Sequence, residues 1–146
     1  MKKLNYKIVS LVSLFFIIII SCQSEDKVEK IRKEVFAIHD EIMPEMGSLM
    51  GLKREIKNKV HLLDSLGIDT DVDKLSAITQ ELDEADEAMM QWMRDFKDPT
   101  EETSEVEALK YLEQELKNIK KVRDKFDSSK EKAKKELFNN TTTGEH

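Results

Sequence analysis

From Val28 to Leu66 the apolar side chains return every three or four residues, at Val28, Ile31, Val35, Ile38, Ile42, Leu49, Leu52, Ile56, Leu63 and Leu66. Only Glu45 and Lys59 stand at positions where the alternation calls for an apolar group. A 3,4 spacing held this long lays one apolar stripe along a helix, whereas a strand would need a period of two. Pro44 interrupts the stretch. It has no N–H to give, and it disfavours helical geometry at Met43. The apolar phase nevertheless continues across it, so the spacing predicts one long helix from about Glu25 to Leu66, kinked near Pro44. A break between Met43 and Gly47, giving four helices, is the alternative.

Two further helices follow on the same reasoning. Gly67-Ile68-Asp69 reads as a loop and Thr70-Asp71-Val72-Asp73 as a capping box, with Thr70 as N-cap. The next stripe runs through Leu75, Ile78, Leu82, Ala85, Met89, Trp92 and Phe96. Lys97-Asp98-Pro99 stops that helix, and Thr100 to Ser104 form a second loop and cap. The third helix carries Leu109, Leu112, Leu116, Ile119, Phe126, Ala133 and Leu137. Four glycines and two prolines in 146 residues leave little punctuation for strands and turns. The expected fold is all-α: a three-helix antiparallel coiled-coil-like bundle, or the four-helix bundle if the first helix breaks. If helices one and two pair as residues whose numbers sum to about 138, Val28 to Ile38 lack cover from the second helix and need a partner helix, a dimer mate or the far end of a four-helix arrangement.

The N-terminal region has another logic. Residues 1 to 7 are basic and Ile8 to Ile20 are continuously apolar or small, the layout of a secretory signal. The run is short beside the ~20 residues needed to span a bilayer. Ile19-Ile20-Ser21-Cys22 resembles the lipobox of bacterial lipoprotein precursors, in which cleavage precedes a cysteine that carries diacylglycerol. The resemblance covers the first 22 residues and implies lipidation at Cys22, the chain's one cysteine. It divides the chain into a signal peptide (1–21), a lipidated tether (22–27), a helical domain (28–138) and a polar tail (139–146) expected to be disordered. Buried acyl chains such as palmitate, at ~0.8 kcal/mol per methylene, would hold the domain on a membrane. The acidic residues after Cys22, Glu25 and Asp26, are similar to surface-export signals of some Bacteroidota lipoproteins. That implies the outer membrane, with the domain facing the periplasm or the cell surface.

Lys2, Lys3 and Lys7 belong to the signal, so the remainder sets 21 Lys and Arg against 30 acidic residues, a formal charge of −9. Such a surface argues against nucleic acid as a partner. Without a second cysteine no internal disulfide can form. The chain contains no His-Glu-x-x-His or Glu-x-x-His pattern, the common signatures of zinc and di-iron enzymes. His39-Asp40-Glu41 are neighbours in sequence, which point in different directions on a helix.

Six of the seven methionines cluster at residues 43–50 and 89–93. The pairing rule sets Met46 opposite Trp92, Met43 near Phe96 and Met50 near Met89. His39, Met43, Met46, Met50, Met89, Met93 and Trp92 are thus candidate ligands: thioethers and imidazole suit Cu(I), and a His/Met-held haem is a variant. Methionine also fills irregular core gaps, so a plain core or a partner-binding groove explains the cluster as well. The segments at 39–47 and 89–93 resemble small uncharacterised helical lipoproteins of Bacteroidota. The expectation is therefore a membrane-anchored, non-enzymatic interaction or structural module of the cell envelope, possessing no cofactor; its partner is another protein or a second copy. A copper-binding role is the alternative.

Overall fold

In a computed structural model, which describes residues 27–68 and 71–139, the long apolar stripe forms helix α1 over 27–65. At Met43–Glu45 the helix tightens into a single 3₁₀ turn with Pro44 at its start. Pro44 sits where a helical N–H would be unsatisfied in any case, so the turn absorbs it. Ile42 on one side and Leu49 on the other are both buried in the same core. The expected long first helix is therefore present, with the interruption at the proline. α1 ends at Ser65 in a Schellman motif. Ile68 N–H donates to the Leu63 carbonyl and Gly67 N–H to that of Asp64, both at 3.0 Å. Gly67 holds φ +68°, which its missing Cβ permits.

Helix α2 spans Val72–Asp95 and α3 spans Glu105–Asn139. The N-cap of α2 is Asp71, without a side-chain cap bond, in place of the expected Thr70, which lies outside the described residues. α3 begins on a capping interaction instead. Ser104 Oγ accepts the Glu107 N–H at 3.4 Å and donates to the Glu107 carboxylate at 2.6 Å. Asn139 is helical, one residue into the segment expected to be a tail, whose remainder (140–146) is not described. The signal, the tether to Asp26 and Cys22 likewise lie outside the described residues.

Cross-helix contacts fix an up-down-up arrangement. Lys53 pairs with Asp83 between α1 and α2, and Lys132 holds Glu81 at 2.6 Å between α3 and α2. Glu45 pairs with Lys130, and Glu41 with Arg123 at 3.7 Å, so α3 runs alongside α1 in the same direction. The shared core is built from Val35, Leu49, Ile56, Leu75, Leu82, Met89, Ile119 and Phe126, all at most 1% exposed. Glu45, unexpected on the stripe, is explained here. Its carboxylate lies at the surface and takes the ammonium of Lys130, whose nitrogen also sits 5.1 Å from the centroid of the Phe126 ring.

The stretch from Val28 to Ile38, which needed cover beyond the second helix, is covered within the monomer: Val35 is fully buried and Ile38 is 7% exposed. α2 gives way at Phe96 to extended backbone (ψ 129°). The chain therefore leaves the helix at Phe96, and Asp98 and the Pro99 carbonyl reach Arg32 of α1.

Candidate functional site

The same geometry reorders the methionine and aromatic region. Trp92 packs at 5.9 Å from the ring of His39 and Phe96 meets Phe36 edge-on at 5.5 Å, pairs whose numbers sum to less than the expected value. The pairing rule assumed two parallel rods of constant rise, while α1 contains a 3₁₀ turn and α2 ends in extended chain. Trp92 and Phe96 stack at 5.0 Å, and Tyr111 of α3 completes the ring series at 6.1 Å from Phe96.

Polar tips of these rings are bonded. Trp92 is 7% exposed and its indole N–H donates to Glu115 at 2.9 Å. Tyr111 accepts the Lys97 N–H at 2.7 Å. Burial pushes the Tyr111 phenol above its ordinary value of 10.0; the Lys97 bond opposes that, and the nearby carboxylates of Glu115, Asp98 and Asp95 reinforce it. Arg32 fastens the linker from the other side. Its guanidinium donates to Asp98 at 2.9 Å, to the Pro99 carbonyl at 3.0 Å and to Glu29 at 3.1 Å. Phe36, Arg32, Asp98 and Glu115 escaped the sequence reading, because their roles depend on contacts across 23 to 67 residues.

The candidate ligands divide by environment. Met89 is fully buried, and Met46 and Met93 pack at the core margin. Met43, Met50 and Met90 are exposed at 37%, 43% and 41%. The His39 Nδ1 lies 2.9 Å from the Asp40 carboxylate. Among the described residues no group of three or more His, Cys, Asp or Glu side chains could hold a metal ion. The arrangement thus has two parts: a ring cluster that closes one end of the bundle, and a set of exposed apolar side chains. The latter include Phe36, Met43 and Met50 on α1, Met90 on α2, and Leu62, Leu66 and Phe138 at the opposite end.

Glu45, at the surface beside the 3₁₀ turn, is held below the usual carboxylate range chiefly by the hydrogen bond from Lys130. At the far end of α3, the hydrogen bond to Glu136 raises Lys74. Both shifts come from bonds that join helices.

No protein family matches the chain, and neither does any curated protein or solved structure.

Proposed function

We propose that this protein is a non-enzymatic, lipid-anchored helical module of the cell envelope, akin to small helical Bacteroidota lipoproteins, which acts by binding a protein partner. The observation that carries the reading is the exposed apolar surface. Leu62, Leu66 and Phe138 are 59%, 62% and 70% exposed, and Met43, Met50 and Met90 add a flexible thioether patch. Apolar groups left in water on an otherwise charged bundle mark an interaction surface, and methionine suits surfaces that adapt to a partner. Charged side chains, by contrast, are employed in joining helices, as in the Lys53–Asp83, Lys130–Glu45 and Lys132–Glu81 pairs. The lipobox-like segment ending at Cys22 and the acidic residues after it support anchoring at the outer membrane.

The test uses the full chain in its native membrane. Labelling with an alkyne palmitate is expected to mark the wild type and not Cys22→Ala, with the variant leaving the membrane fraction. In-cell cross-linking is expected to give a discrete species larger than the chain. Labelling that persists in Cys22→Ala would remove the anchor, and failure to form any larger species would remove the interaction module. Saturable Cu(I) binding by the full chain that disappears when Met43, Met46, Met89 and Met93 become Leu would replace the reading with a metal-handling one.

A further inference from the structure

α1 carries a second 3,4 seam, on its outer side, one residue on from the core row of Val35, Ile42, Leu49 and Ile56. It starts at Phe36 and Asp40 and continues through Met43, Gly47, Met50, Arg54 and Lys57 to His61, and every position along it is exposed. A seam of this spacing is what one helix offers another in a coiled coil. Two facts say that the middle of the seam does not serve the monomer. Its thioethers are in water, with Met43 at 37% and Met50 at 43% exposure, while Phe36 at its end also meets Phe96 within the bundle. Gly47 sits inside a helix, where glycine costs about 1 kcal/mol relative to alanine. A Cβ built on it meets nothing within 4 Å, so no internal contact demands its small size.

We infer that this face of α1 binds the same face of a second copy, antiparallel, about a two-fold axis between Gly47 and Met50. The proposal rests on the interaction-module reading and names its partner. Charge decides the direction. Asp40, 75% exposed, lies toward one end of the seam, while Arg54 and Lys57 lie toward the other. Antiparallel pairing opposes Asp40 to Lys57 of the partner subunit, and by symmetry does so twice. Parallel pairing would set like charges against each other at both ends, which is unfavourable. The antiparallel register also places the Met50 side chain over Gly47 of the partner subunit, where the absent Cβ leaves room for it. Phe36 comes level with His61 of the partner subunit, and Met43 with the aliphatic stem of the partner's Arg54. In such an isologous pair each contact is made twice. The two N-terminal ends then point away from each other, about 65 Å apart at 1.5 Å per residue. With an anchor at each end, the dimer lies flat on one membrane.

Sedimentation equilibrium of the full chain in a mild detergent tests this, using Asp40→Lys, Lys57→Asp and the double variant, with helicity checked by circular dichroism. The wild type is expected to be a dimer. Each single reversal sets two pairs of like charges in opposition and is expected to raise the dissociation constant at least about tenfold. The double variant restores opposite charges and is expected to return it near the wild-type value. A wild type that stays monomeric at about 100 μM overturns the proposal, as does a dimer indifferent to the single reversals or unrescued by the double one. A monomeric wild type that still forms a cross-linked species of another mass in cells overturns the dimer and leaves the interaction module standing. Absence of both species removes the two readings together.

Discussion

The two ends of the bundle are closed by different means. At the end where α1 begins, the segment after Asp95 is held by Arg32, Tyr111 and the Ser104–Glu107 cap, beside the ring series of Phe36, Trp92, Phe96 and Tyr111. At the end where α1 meets α2, the Schellman motif satisfies the backbone but leaves Leu62, Leu66 and Ile68 at 59%, 62% and 41% exposure. The Lys59 ammonium there is buried with no hydrogen-bond partner among the described residues. A helix end can satisfy its carbonyls locally and still leave its side chains unsheltered. Covering them takes a third element, which among the described residues the linker after Asp95 supplies at the first end.

The largest expected difference comes from truncating one apolar residue at each end. Trp92→Ala should cost about 3–5 kcal/mol in urea unfolding, since it opens a cavity and removes one of the hydrogen bonds to Glu115. Leu66→Ala should cost no more than about 0.5 kcal/mol. Similar costs for the two would break the comparison.

Lys59→Met should stabilise the chain by about 1 kcal/mol or more, because it replaces an unpaired buried cation with an apolar side chain of similar length. A loss of stability would mean that the ammonium is partnered in solution. Arg32→Ala should cost about 1 kcal/mol, less than three charge-assisted bonds suggest, because the side chain keeps 28% of its exposure. Amide exchange should quicken in residues 97–104, while residues 62–68 keep the wild-type rate.

Tyr111→Phe carries the smallest effect at neutral pH, about 1 kcal/mol or less for one lost hydrogen bond to a backbone N–H. Its pH dependence is more informative. The folded state raises the Tyr111 pKa, so the stabilisation it contributes is complete below the unfolded value near 10 and is lost as the pH rises through the folded value. Wild-type stability should therefore fall above about pH 10 more steeply than that of Tyr111→Phe. Equal slopes would show the phenol to be as solvated as in the unfolded chain.

How far the sequence could be read differs between these regions. The stripe from Val28 to Leu66 gave α1 and its core residues almost position by position, because burial on a helix follows its period. Glu45 and Lys59 stood out as exceptions to the stripe, but only α3 explained Glu45, by bringing Lys130 to it from 85 residues away. The cap at Ser104 was expected, whereas the one at Thr70 gave way to Asp71. The methionines were legible as a cluster in sequence. Their division into buried Met89 and exposed Met43, Met50 and Met90 was not, since residues a few positions apart on a helix face different neighbours.

By itself the sequence determined the helical class, the lengths and order of the helices and the faces they bury, because these follow from periods and caps acting over a few residues. Tertiary structure alone decided how the linker covers the start of α1, which rings meet Trp92, and which apolar side chains stay in water. Those outcomes depend on where α2 gives way to the linker and on partners distant in sequence, and no local spacing encodes either.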